Sequence, residues 1–121
     1  MLRRFSKGMS QSERAVQAWN ILIGKAENRQ TLNYGELSKL MNYGSNHLGG
    51  VLYHLKAYCE QNDLPRLSYL VVNKEKGQPG GIEKSSFEEQ ESIFNIDWYE
   101  IITPTAKEFK DATDQDKNNN D

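Results

Sequence analysis

The sequence predicts a mainly α fold with a small β component, a single domain of winged-helix or helix-turn-helix type. Two patterns carry that expectation. Helical segments near 34–41 and 46–61 flank the turn Asn42-Tyr43-Gly44-Ser45, and two short helices joined by a tight glycine-containing turn are the helix-turn-helix signature. The run Leu67-Ser68-Tyr69-Leu70-Val71-Val72 is rich in branched and aromatic residues and reads as a strand. A basic, glycine-rich loop, 74–81, follows it, as a wing would follow its strand.

The elements follow in chain order. Residues 12–26 read as an amphipathic helix, because Val16, Trp19, Leu22 and Ile23 recur at three- and four-residue spacing and Ser10 or Ser12 can cap it. Asn33 is placed to cap the second helix, whose stripe is Leu37, Leu40 and Met41. Gly44 suits the left-handed residue that ends it. In the third helix Leu48, Val51, Leu52, Leu55 and Cys59 make one buried face. This is the recognition-helix candidate, since such a helix lays one face in the major groove and the other on the core. Residues 85–94 look helical, with Ser85 or Ser86 as cap and Glu88 and Glu89 in the first turn. Residues 95–102 read as a short strand or an apolar arm over the core. By composition, 1–11 is expected to be a flexible basic arm, 12–109 the folded body and 110–121 a disordered polar, acidic tail.

A chain of 121 residues fits one domain. Its hydrophobic content of 36% is below the roughly 45–50% of globular chains, which matches a modest core with polar ends. The net charge of −2 is unevenly spread: residues 1–30 carry six basic and two acidic side chains, residues 31–83 five of each, and residues 84–121 four and ten. The basic N-terminal end suits phosphates, whereas the acidic end would repel them or engage a basic partner. A single cysteine, Cys59, excludes an internal disulfide and a cysteine metal cluster. No stretch approaches the roughly 18 apolar residues of a membrane span. No apolar run follows Arg3-Arg4 in the manner of a signal peptide, so a cytoplasmic protein is expected. His47 and His54 lie two turns apart, about 10 Å along a helix, too far to share a metal. Neither a metal nor another cofactor is expected.

Asn33-Tyr34-Gly35-Glu36-Leu37, then Gly49-Gly50-Val51-Leu52, then Leu70-Val71-Val72-Asn73 through Gly77 to Gly80 occur in that order. From Thr31 to Gly81 the chain thereby resembles the C-terminal DNA-binding domain of the alkylguanine-DNA alkyltransferases and the alkyltransferase-like proteins. In that family a Pro-Cys-His-Arg run enters the Val-Val strand and carries the reactive thiol. Here Leu67-Ser68-Tyr69-Leu70 stands in its place, so the resemblance implies the DNA-binding shape without alkyl transfer. The family's duplex-invading arginine falls near Asn46 or His47, and is missing too. With Phe94-Asn95-Ile96-Asp97-Trp98 and Thr103-Pro104-Thr105, the whole pattern is also similar to small bacterial proteins of unassigned function, a likeness that implies a fold and no activity.

Candidate DNA contacts follow from these placements. The resemblance puts Tyr34 at a backbone phosphate, with its hydroxyl as donor; packing on the core is its plainer role. Ser45, Asn46 and His47 open the recognition helix, where short polar side chains and free amides suit phosphates and base edges but also serve as ordinary caps. Of the paired glycines, one is expected to allow close helix packing and the other, Gly50, close approach to DNA. Tyr53, His54 and Lys56 point away from Leu52 and Leu55 and could reach a groove. Arg66, Lys74 and Lys76 suit non-specific phosphate contact, as do Arg3, Arg4 and Lys7 on the arm. Glu88, Glu89 and Glu91 need no catalytic role, because acids favour a helix N-terminus. No catalytic residue is expected.

The function so predicted is non-enzymatic binding of duplex DNA. Two alternatives stay open. One is a protein-interaction module, an adaptor or inhibitor of a nucleic-acid enzyme of phage or mobile-element type, meeting its partner through the acidic C-terminal region. The other is an alkyltransferase-like damage sensor without catalysis, for which Tyr69 and Trp98 would line a base pocket.

Overall fold

The computed structural model describes residues 2–73 and 86–119. Helix α1 spans Gln11–Glu27. Ser10 caps it: its hydroxyl accepts from the Glu13 amide at 3.3 Å, and its own amide donates to Glu13 Oε1 at 3.0 Å. This reciprocal box satisfies donors that a helix start otherwise leaves bare. Helix α2, Tyr34–Met41, begins with the same device, Asn33 accepting from Glu36 N at 2.8 Å and donating to Glu36 Oε1 at 2.9 Å.

The left-handed residue that ends α2 is Asn42 (φ 51, ψ 52), not Gly44. Asparagine enters this region more readily than other side chains. Gly44 is small for a different reason, since a Cβ there would sit 2.7 Å from Asn46 Oδ1. A 3-10 turn, Ser45–His47, then leads into α3, Leu48–Gln61.

Residues 67–70 form a 3-10 turn rather than a strand, with Leu67 and Leu70 both fully buried. The extended part is confined to β2, Val71–Val72, which pairs in parallel with β1, Leu32–Asn33. Because β1 runs straight into α2, this pairing ties the start of α2 to the core. A wing needs an antiparallel hairpin, and the segment expected to form it, 74–81, lies outside the described residues.

Helix α4 spans Ser86–Phe94. The following segment is the apolar arm rather than a strand: Trp98 is fully buried in a 3-10 turn, Trp98–Glu100, and donates to the Ile93 carbonyl at 2.8 Å.

The stretch expected to be a disordered tail is helical. α5 runs Ala106–Asn119 and buries Phe109, Ala112 and Thr113. Thr105 and Glu108 cap its start reciprocally at 3.0 and 3.1 Å. Lys107–Asp111 and Lys110–Asp114 pair one turn apart on its exposed side. Polar composition had concealed one inward stripe, so the folded body continues well past residue 109.

Trp19 of α1 stands at the centre of the core. Its ring meets Trp98 at 5.5 Å, Tyr58 of α3 at 5.8 Å and Phe109 of α5 at 5.9 Å. Helices α2 and α3 meet near the N-terminal end of α1, where Arg14 donates to the Met41 carbonyl at 2.9 Å. α4 gathers at the other end, where Arg29 pairs with Glu91. Among the described residues no helix is long and apolar enough to cross a membrane.

Candidate nucleic-acid interface

The open part of α3 is its beginning. Ser45, Asn46, His47 and Gly49 are exposed, and neither the 3-10 turn nor α3 itself receives a side-chain cap. The His47 amide donates to the Gly44 carbonyl and the Leu48 amide to the Ser45 carbonyl, while the helix dipole favours an anion at this end. The two glycines exchange the expected roles. A Cβ on Gly50 would lie 2.3 Å from Gln11 Nε2, so Gly50 is the packing glycine, against the start of α1. Gly49 has nothing within 4 Å of the same position and faces open space.

Further along α3, α5 packs against one side while Glu60 and Gln61 stay exposed. Tyr53 donates its hydroxyl to Asp116 of α5, and this bond holds the phenol above its ordinary range. Lys56 lies half-buried with its ammonium 5.6 Å from the Tyr53 ring. His54 is buried, its Nδ1 2.8 Å from the Gly50 carbonyl. Gln61 donates to the Ala112 carbonyl at 2.7 Å. With α5 along one side of α3, the Tyr53 hydroxyl is committed to Asp116, while Lys56 stays half-exposed beside the Tyr53 ring. Arg66 is engaged as well. Its guanidinium pairs with Glu60 at 2.8 Å, donates to the Tyr69 hydroxyl and stacks 5.3 Å from that ring. Lys74 and Lys76 lie outside the described residues.

Two hollows border the α2–α3 pair. The first, about 440 Å³, is lined by Asn33, Tyr34, Gly35, Glu36, Lys39 and Asn73. Tyr34 is half-buried at its edge, and the Glu36 carboxylate is engaged by the Asn33 amide. The second, about 300 Å³, is lined by Lys7, Asn42, Tyr43, Gly44 and His47.

No protein-family model, no curated protein and no solved structure matches this chain.

The interface is therefore argued from its own residues. Lys39, Asn42 and Tyr43 join it without having been singled out by motif. Arg14 underlies it, and one signal pointed there: it stands four residues before Ala18, on the apolar side of α1. Among the described residues no three His, Cys, Asp or Glu side chains converge as metal ligands do. Burial pushes the Cys59 thiol up to about 11, well away from the thiolate form that reacts. Tyr69 and Trp98 are both buried in the core, which leaves neither to line an open base pocket.

Proposed function

We propose that the chain binds duplex DNA without chemistry, in the cytoplasm, as a winged-helix-like domain that presents the start of α3 end-on. One observation carries this reading. The exposed residues Ser45–His47 and Gly49 adjoin a hollow lined by Lys7 and His47, a second hollow edged by Lys39 lies at the start of α2, and further along α3 Tyr53 is tied to α5. Helix starts bind phosphate through their amides, and short polar side chains at that end reach base edges. In this reading Tyr34 contacts the backbone from its hollow, the basic arm tracks neighbouring phosphates, and Lys74 and Lys76, which follow β2 in sequence, serve as wing contacts.

Fluorescence anisotropy with duplex and single-stranded DNA, at low and physiological salt, tests it. Wild-type protein binds duplex with an affinity that falls as salt rises, and the triple variant Tyr34→Phe, Lys39→Ala, Asn46→Ala loses that binding. Absence of duplex binding even at low salt refutes the proposal.

A protein-interaction module is the second reading, favoured by a different surface. Residues 85–106 carry Glu88, Glu89, Glu91, Asp97 and Glu100 with no basic side chain among them, and Phe87, Tyr99 and Ile102 are exposed in the same stretch. An acidic surface dotted with large apolar groups suits a basic protein. Unaltered duplex binding in a Phe87→Ala, Tyr99→Ala, Ile102→Ala variant would separate this surface from the DNA-binding one.

A further inference from the structure

Arg14 is 2% exposed, yet no carboxylate pairs with it among the described residues. Its Nη1 donates to the Met41 carbonyl at 2.9 Å and to Gln17 Oε1 at 2.8 Å, and its Nη2 donates to the Ser6 carbonyl at 2.9 Å. The guanidinium carbon lies 4.5 Å from the centre of the Tyr43 ring, and Nε has no partner. Carbonyl dipoles and a ring face stabilise the cation, but they do not cancel its charge. A buried charge without a counter-ion projects a stronger field than an exposed one, because little water screens it.

The Tyr43 ring that stacks on the guanidinium also borders a hollow, so the field reaches that hollow across the ring. Tyr43 forms part of the lining, with Lys7, Asn42, Gly44 and His47, and none of these is acidic. The wall is also pre-formed. Asn42 N donates to Lys39 O at 3.3 Å, Tyr43 N to Ser38 O at 3.1 Å and His47 N to Gly44 O at 3.0 Å. The Tyr43 and His47 rings pack 5.5 Å apart. Arg14 further fixes the basic arm, since the Ser6 carbonyl it holds is adjacent to Lys7.

We propose that this hollow, at the turn between α2 and α3, seats one phosphate group of a DNA strand. Lys7, Asn42 and His47 supply the contacts, beside Tyr43 and the positive charge of Arg14 behind its ring. Arg14 is a positioning residue here: it sets the arm, the Tyr43 ring and the local potential. The choice of a strand phosphate over a free one follows from location, because the seat adjoins the exposed start of α3 and is edged by Lys7 of the basic N-terminal segment. The proposal rests on the DNA-binding reading and adds the contact that fixes the strand's position on the domain, as backbone contacts do.

The test uses the full chain, with Lys7→Ala, His47→Ala as a double variant at two exposed positions that leave the core untouched. Duplex affinity is measured by anisotropy across a salt series, and the amide signals of residues 42–47 are followed by NMR during titration with duplex, or with inorganic phosphate against chloride at equal ionic strength. We expect duplex to move those amides, and the double variant to bind roughly tenfold more weakly. Its slope of log affinity against log salt should be shallower by about 0.9. Wild-type duplex binding with the same affinity and slope in the double variant overturns the seat while leaving DNA binding in place. If wild type binds no duplex, the DNA reading itself fails. In that case, amide shifts with inorganic phosphate would assign the hollow to small phosphate compounds instead of a strand, and their absence would remove the site altogether.

Discussion

Replacing Phe109 by alanine should destabilise the domain severely, because α5 is part of the core. Phe109 is fully buried, 5.9 Å from the Trp19 ring and 5.5 Å from that of Tyr58. Truncating a buried phenylalanine costs about 3–5 kcal/mol from lost transfer energy and the cavity left behind. Domains are stable by roughly 5–15 kcal/mol, so the change consumes a large share of the total. With a urea slope of about 2 kcal/mol per molar, the denaturation midpoint should fall by at least about 1.5 M. Tryptophan fluorescence reports it directly, since Trp19 is one of the rings left facing the hole. Lys107→Ala, on the exposed side of the same helix, should leave the midpoint in place, because surface ion pairs contribute little. A loss of under about 1 kcal/mol in Phe109→Ala would refute the reasoning. It would mean that α5 is not docked, and then the argument that α5 holds Tyr53 and covers one side of α3 would fall with it.

The paired glycines give a second check. Gly49→Ala meets open space and should stabilise α3 by about 0.5–1 kcal/mol through helix propensity, while weakening duplex binding because the backbone can no longer approach closely. A variant that is more stable and binds as well as wild type would remove Gly49 from the interface. In the alkaline range, Tyr53 keeps its proton in the folded protein to a higher pH than in the unfolded chain, because Asp116 accepts it. The unfolded state therefore binds fewer protons above the ordinary tyrosine value of about 10, and stability falls as pH rises through that region. Asp116→Asn should return the phenol toward its ordinary value and flatten the fall, as read by phenolate absorbance and by denaturation at several pH values. Cys59, buried and held up to about 11, should resist a thiol reagent at neutral pH until the protein unfolds; rapid reaction in the native state would contradict its placement.

Where the sequence was legible, a repeating spacing or a capping pattern made it so. α2 was expected at 34–41 and forms at Tyr34–Met41, because Asn33 and Glu36 announce its start and Leu37 and Met41 its inner side. The 67–72 run misled because a short apolar segment does not distinguish a strand from a buried turn: Leu67 and Leu70 point inward three residues apart. The C-terminal helix misled because its composition is polar, although Thr105-Ala106-Lys107-Glu108 carries the serine/threonine-to-glutamate cap signature. Within the candidate site, sequence placed the turn and the start of α3 but gave no sign of what Gly50, Tyr53, Lys56 and Arg66 pack against. Their roles are set by Gln11, Asp116, Tyr53 itself and Glu60 respectively, and three of these four partners come from elsewhere in the fold or from another turn, where spacing carries no signal.

The negative net charge of the chain does not argue against the proposed DNA surface, because the charges are separated along α1. Arg14 lies near one end of that helix and Arg29, paired with Glu91, lies just past the other. At a rise of 1.5 Å per residue the two ends are about 20 Å apart. That exceeds the screening length of about 8 Å at physiological ionic strength, so the carboxylates of α4 contribute little at the turn beside Lys7 and His47. Nearer to α3, Asp114 is paired with Lys110 and Glu60 with Arg66, while Asp116 accepts from the neutral Tyr53 hydroxyl and keeps its charge. Buried polar side chains fix each end through backbone carbonyls: Arg14 to Met41 and Ser6 at one, Gln90 to Tyr69 at 3.1 Å at the other. Such bonds are directional, so a domain with a modest apolar core can still hold a basic pole and an acidic pole in a fixed relation. The same molecule can then meet a phosphate backbone at one pole while its acidic, partly apolar pole stays turned toward something else.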